Sequence, residues 1–163
     1  MPASPAQLFA RLKELGIVSV TVEHAPMFTV EQSKALRGTL PGAHTKNLFL
    51  VDKDGRMVLV VAKEDSKVDL KSLATKLGLG RFSFGKPDLL LAVLGVEPGS
   101  VTPFALINET SREVTVVVDQ ALLAFAEVNA HPLTNSATTR LQTEDLLRFI
   151  RACGHEPLIL DVG

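Results

Sequence analysis

The sequence predicts an α+β fold: a mixed, largely antiparallel β-sheet with helices around it, built as one domain over residues 1–163. Three observations carry that expectation. Two apolar runs, Lys46–Val51 and Met57–Ala62, flank Asp52-Lys-Asp-Gly-Arg56, and Asp-Gly between such runs is the strongest short-range signal of an antiparallel hairpin. Segments of helical period, bounded by caps, fall between strands without the strict alternation that a parallel doubly wound sheet requires. No repeat, low-complexity tract or linker divides the 163 residues, a length at which about two-thirds of the extended surface is buried on folding.

Each element has its own warrant. A helix starts at Ser4 or Pro5 and runs to Leu15, because Leu8, Phe9, Leu12 and Leu15 share one face and Gly16 stops it. Val18–Val22 alternates as a strand, His24-Ala-Pro26 turns the chain, and a second helix is expected over Val30–Arg37. After the hairpin, Asp69 caps a helix to Leu77 that Gly78 closes. Arg81–Phe84 reads as a short strand, and Pro87–Leu94 as a helix with proline in its first turn. Phe104–Ile107 and Val114–Val118 have strand character, Asp119 caps a short turn through Leu123, and Phe125–Val128 resumes as a strand. Residues 129–135 read as a turn-rich link. Thr138–Leu141 follows as a strand, then a helix over Thr143–Ala152 with Glu144 and Asp145 near its positive end, and an edge strand over Pro157–Asp161.

Composition excludes several classes of function. Hydrophobic residues make up 46% against 21% charged, and mean hydropathy is +0.24, so no long disordered tail is expected. The longest apolar stretch, Leu89–Val96, falls short of the roughly 20 residues that cross a bilayer. The N-terminus lacks a basic region and cleavage site, and one cysteine, Cys153, cannot form an internal disulfide; a cytoplasmic protein is expected. Phosphate-binding loops, dinucleotide fingerprints, serine elbows and His or Cys ligand spacings are all missing from the sequence, so neither a metal nor a cofactor is expected. Cys153 and His155 flank a helix-ending glycine and read as packing. Eight scattered Phe, with no Trp or Tyr, do not make the aromatic platform of a typical single-strand RNA binder.

The net charge of −1 hides an asymmetry: residues 46–86 hold nine Lys or Arg against five Asp or Glu, and residues 87–163 hold four against ten. A local basic region of that size suits a few phosphates. Lys63, Lys67, Lys71 and Lys76 read individually as the solvated face of a helix and its approach.

Polar punctuation then narrows to a few places. Lys46-Asn47 opens a buried strand, which puts a cation at a strand mouth rather than on a helix surface. Gly99-Ser100-Val101-Thr102-Pro103 is a turn whose backbone amides can face a ligand, since glycine permits close approach and proline fixes the exit. His131-Pro132 marks a third turn. With the Leu8–Leu15 helix, the Asp-Lys-Asp-Gly hairpin, Asn-Ala-His-Pro and Thr138-Thr139, these segments resemble the YbaK-type aminoacyl-tRNA deacylases, the family that also forms the editing insertion of bacterial prolyl-tRNA synthetase. The likeness covers nearly the whole chain and is nearest to the free-standing branch that clears alanine from proline tRNA.

The resemblance implies hydrolysis of the ester between an amino acid and the terminal ribose of mischarged tRNA(Pro), with prolyl-tRNA synthetase as a possible partner. Lys46 matches the family's essential lysine, an ammonium that anchors a phosphate or the ester carbonyl without acting as a base. Gly99, Ser100, Val101, Thr102 and Pro103 match the loop at the aminoacyl end, where backbone amides hold the carbonyl and align a water. No side-chain base is obvious, so the neighbouring ribose hydroxyl is expected to assist. Asn47 is placed to bond the ribose or amino group, His131 to help set pocket size, and Val30 and Phe49 to line it, though both also read as core. Arg81 and Lys86, flanking Phe-Ser-Phe-Gly, are the candidates for acceptor-stem contacts. A proline pocket cannot strongly reject alanine, because each methylene is worth only about 1–3 kcal/mol; a second, smaller sieve corrects the error. Two alternatives stand beside this reading: cysteine as the cleaved residue, and a non-catalytic tRNA-binding module.

Overall fold

The computed structural model describes residues 2–25 and 41–163. The helix expected over Val30–Arg37, and Val30 itself, lie outside them. Eight strands form one mixed sheet: β1 (Ser19–Glu23), β2 (Ala43–Asp52), β3 (Met57–Lys63), β4 (Phe82–Phe84), β5 (Val114–Asp119), β6 (Glu127–Ala130), β7 (Ala137–Gln142) and β8 (Leu158–Leu160). Their order is β1-β7-β6-β2-β3-β5-β8, with β4 beside β2. Pairings of β1 with β7, β2 with β3, β2 with β4 and β6 with β7 are antiparallel; β2 with β6, β3 with β5 and β5 with β8 run parallel. Four described helices accompany the sheet: α1 (Pro5–Glu14), α2 (Leu70–Leu77), α3 (Pro87–Leu94) and α4 (Thr143–Ala152).

Local chemistry explains the helix starts. Ser4 Oγ accepts from the N–H of Gln7 (3.2 Å) while Gln7 Oε1 accepts from the N–H of Ser4 (2.8 Å), a reciprocal cap ahead of Pro5. Asp69 Oδ1 accepts from the N–H of Ser72 (3.0 Å) and starts α2. The hairpin forms as expected, Thr45 opposite Lys63 through Val51 opposite Met57.

Strand alternation divides the core in two. Odd-numbered β2 and β3 residues, with Val114, Val116 and Val118, face a cluster that includes Leu8, Leu12, Leu94, Phe104, Leu146 and Phe149. Even-numbered residues Leu50, Val58, Val60 and Ala62 face a smaller cluster with Leu73, Ala74, Phe82 and Val162. Phe104 and Phe149 meet edge-on at 5.4 Å.

Two sequence expectations are corrected. Phe104–Ile107 is not a strand but part of a 3-10 turn, Pro103–Asn108. Thr102 Oγ1 accepts from the N–H of Phe104 (3.3 Å) and Pro103 supplies a preset φ, so the apolar run is a buried turn with Phe104, Ala105 and Leu106 all enclosed. Asn129 is not in a turn: it lies inside β6, opposite Arg140, and the turn begins after Ala130.

Candidate active site

Strand β2 changes neighbours partway along. Ala43 and His44 pair with Val128 and Asn129 of β6, after which β6 ends at Ala130. From Leu50 onward the same edge of β2 pairs with β4, and Phe49 O accepts from the N–H of Gly85 at 2.9 Å. Among the described residues, 45–48 therefore have a strand neighbour on one side only, β3. Lys46 and Asn47 occupy this gap.

Register fixes what faces it. His44 O accepts from Glu64 N–H (2.9 Å) on the β3 side, whereas Phe49 O accepts from Gly85 on the other. Backbone groups alternate sides along a strand, so the N–H and C=O of Asn47 point into the gap. Its side chain adds to this: Nδ2 lies 3.5 Å from Thr45 Oγ1, the limit of a hydrogen bond, and among the described residues Oδ1 is buried with no partner. An unmet buried acceptor costs about 1–3 kcal/mol, a cost that a ligand donor would remove.

Lys46 leaves β2 on the opposite face, with His44, Leu48 and Leu50, and its ammonium donates to the carbonyl of Ser66. Asn129, across the parallel pairing, is on Lys46's face. It is 2% exposed; Nδ2 donates to Pro41 O (2.8 Å) and Ala43 O (3.2 Å), and Oδ1 is a second buried acceptor without a partner among the described residues. Asn129 thus holds β2 to β6 at the point where they part. Sequence reasoning missed it because Ala-His-Pro beyond it reads as a turn; the available signal was a lone amide after the apolar Val128.

The tight turn is Glu97–Ser100, not the five residues Gly99–Pro103 that the sequence suggests: Val101 and Thr102 follow it and Pro103 already opens the 3-10 turn. Glu97 O accepts from Ser100 N–H (3.0 Å), with Pro98 and Gly99 at its centre and Gly99 at φ +91°, the type II arrangement that demands glycine. Among the described residues nothing lies within 4 Å of where a Cβ on Gly99 would stand, so the conformation, not crowding, selects it. Val101 packs on the larger cluster, to which Phe104 belongs. The turn and Asn47 are therefore on one side of the sheet and Lys46 on the other. Among the described residues no hydrogen bond joins Lys46 to the turn.

His131 follows β6, half-buried, with Nδ1 3.1 Å from Ala137 O. A carbonyl only accepts, so Nδ1 carries the proton and neutral Nε2 is left as an acceptor. Burial pushes the imidazole below its ordinary pKa, the Ala137 carbonyl opposes this, and nearby His24 lowers it further. His24 in turn sits 2.9 Å from Thr138 Oγ1. Phe49 is 4% exposed and core, its ring against Gly85, where a Cβ would stand 2.3 Å from Cδ2; Gly85 is needed for that approach. Arg81 and Lys86 are exposed at either end of β4, toward the hairpin end of β2. Burial raises the Cys153 thiol to about 11 against a weaker opposing effect of Arg11, which makes it a poor nucleophile at neutral pH.

With this geometry in place, the chain was compared with known proteins. The model of the aminoacyl-tRNA editing domain matches residues 24–149, a span that contains the gap, the turn and His131. A zebrafish (Danio rerio) protein named prolyl-tRNA synthetase associated domain-containing protein 1 is 41% identical over 91% of this chain and 82% of its own. The prolyl-tRNA editing protein ProX of Acetoanaerobium sticklandii is 40% identical over 91% of both. A crystal structure described as that of a candidate trans-editing enzyme for prolyl tRNA synthetase superposes with a TM-score of 0.74 at 22% identity, covering both chains completely, and shares the fold.

Proposed function

The chain belongs to the aminoacyl-tRNA editing-domain family, and on that premise we propose that it is a trans-editing deacylase acting in the cytoplasm on mischarged tRNA(Pro), with the alanyl ester its preferred substrate. Water attacks the ester carbonyl carbon, the bond to the ribose oxygen breaks, and alanine and intact tRNA leave. The attacking water's proton passes to the departing ribose oxygen by way of the neighbouring ribose hydroxyl. Lys46 gives up its Ser66 carbonyl to hold a terminal phosphate or the ester oxygen as a point charge. Asn47 offers a backbone donor and acceptor and a free Oδ1 to the ribose or the amino group. Backbone amides of Gly99–Thr102 approach from the far side, and His131 and Phe49 limit the pocket to a methyl side chain. Prolyl-tRNA synthetase is the partner this chemistry serves.

The observation that carries this reading is the coincidence of an opening in β2 with a cation and an unpaired amide inside it, in a chain of this family. The test is hydrolysis of tRNA(Pro) charged separately with alanine, cysteine and proline. Fastest loss of the alanyl ester with prolyl ester intact is expected; fastest loss of the cysteinyl ester would reassign the substrate, and no loss from any of the three would overturn the activity.

A further inference from the structure

On the side of the sheet that carries Lys46, hydrocarbon lines β2, β3 and β5 through Leu50, Val58, Val60 and Val117. Along β6 and β7 the same side is polar. His44 lies beside Asn129, and Asn129 opposite Arg140; residues two apart on a strand share a face, so Thr138 belongs with them. Thr138 is 5% exposed and Asn129 2%, whereas Lys46, His24 and Arg140 around them are only half-buried. Continuing the β2–β6 and β6–β7 registers past the end of β6 puts Lys46 and Thr138 in one row across the sheet, with His131 between them. Two strand spacings separate the ends of that row, about 10 Å.

Two acceptors on this polar floor remain open. His24 Nδ1 lies 2.8 Å from the carbonyl of Ala25 and Nε2 lies 2.9 Å from Thr138 Oγ1. A carbonyl only accepts, so Nδ1 carries the proton and Nε2 of the neutral ring takes the hydroxyl proton of Thr138. What is left on Thr138 Oγ1 can only accept. The imidazole is held in place from behind, because the His24 N–H donates to Ser136 O (2.9 Å) and extends the β1–β7 ladder by one residue. The second acceptor is Asn129 Oδ1, buried without a partner among the described residues while its amide nitrogen is committed to Pro41 and Ala43. Asn129 and Thr138 are diagonal neighbours on adjacent strands, about 7–8 Å apart at the backbone. Arg140, on the same face, pairs with Glu127 (3.3 Å).

Acceptors that lack donors select a ligand group that only donates. An ammonium is such a group, with three N–H donors and no lone pair, whereas a carbonyl there would set lone pair against lone pair. An aminoacyl ester carries one ammonium, on the carbon next to its carbonyl. The row across the sheet therefore has a cation at one end, for phosphate or ester oxygen, and acceptors at the other. We propose that Thr138, oriented by His24, and Asn129 together seat the α-ammonium of the aminoacyl ester, so that the site requires a free amino group and passes over esters that lack one. This assignment rests on the deacylase reading for the identity of the ester. It leaves Asn47 to the ribose.

Two analogues that cannot be cleaved test the seat without any hydrolysis: 3′-alanylamido-adenosine and its 3′-lactylamido counterpart, equal in size, in which a hydroxyl replaces the ammonium. Calorimetric titration of the wild type is expected to show the alanyl analogue bound about tenfold tighter, the scale of one hydrogen bond to a charged group. Thr138→Val keeps the shape of the side chain and removes the hydroxyl; it is expected to weaken the alanyl analogue alone and so erase the preference. Thr138→Ser retains it. His24→Ala lowers the preference in the same direction, and His24→Gln, whose amide oxygen can take the same proton, restores it; a purely structural His24 would weaken both analogues alike. Equal affinity of the wild type for the two analogues, no measurable binding of either, or an unchanged preference in Thr138→Val overturns the seat. Hydrolysis of alanyl-tRNA(Pro) is read separately. Its absence, with the binding preference intact, overturns the deacylase reading and leaves the ammonium seat standing.

Discussion

The middle of strand β2 and its C-terminal end treat their polar groups in opposite ways. At Asp52 every available oxygen is used: Oδ1 accepts from the N–H groups of Asp54 (3.0 Å) and Arg56 (2.8 Å), and Oδ2 from Arg56 Nε (2.9 Å) and Gly80 N–H (3.1 Å). At Asn47, five residues back, the side-chain oxygen has no partner and the backbone no neighbouring strand on one side, among the described residues. The carboxylate at the end stabilises the turn that creates the hairpin. The mid-strand amide makes the fold no stronger, so its polarity is available to something the chain binds.

That contrast can be broken in four ways. Lys46→Ala is expected to give the largest effect, a fall in deacylation of about 10²–10³-fold, the usual loss when a charge-stabilising donor is removed, with thermal stability within about 0.5 kcal/mol of wild type. Retained turnover would remove Lys46 from the chemistry. Asn47→Ala is expected to cost about tenfold in kcat/KM, roughly 1.4 kcal/mol of lost interaction, while Tm holds steady or rises because an unmet buried acceptor disappears. A fall in Tm would mean that the amide is structural after all. Asp52→Asn reverses the pattern: Tm drops by several degrees and kcat per folded molecule is unchanged.

The smallest effect concerns pH. Burial of the Asp52 carboxyl favours its neutral form, but the amides of Arg56, Gly80 and Asp54 and the Arg56 guanidinium outweigh it and hold the group below its usual range. Its contribution is therefore complete above the ordinary carboxylate pKa and lost as pH falls through the lowered value. His131 acts higher up. Its folded form resists protonation, so the unfolded chain gains a proton first as pH falls below about 6.5, and stability declines from there toward the folded value. Tm measured from pH 8 to 5 in wild type and His131→Asn should converge at the acid end; parallel curves would contradict this.

Much of the fold was legible in the chain because the signals were local. Asp-Gly marked the hairpin, Ser4 and Asp69 marked two helix starts, and Glu144 and Asp145 marked the start of α4. The failures were non-local. Phe104–Ile107 has strand composition, yet Thr102 and Pro103 wind it into a turn that no period reveals. Asn129 looked like turn punctuation because its partners, Pro41 and Ala43, are far away in sequence. The Lys46-Asn47 pair reads in the sequence as a strand mouth, whereas it lies inside β2, which starts at Ala43, and adjacent residues on a strand face opposite sides. That the pair straddles an opening depends on where β6 leaves and β4 arrives, and neither boundary is written near it.

The opening itself can be observed directly. Titration of isotopically labelled protein with the 3′-alanylamido analogue of adenosine, which the reaction cannot cleave, reports each backbone amide by NMR. The Asn47 N–H is predicted to shift most, with Lys46 and the amides of residues 99–102 following and those of residues 52–56 unmoved. Saturable binding that perturbs the hairpin, or leaves Asn47 where it was, would contradict the assignment of this gap as the site.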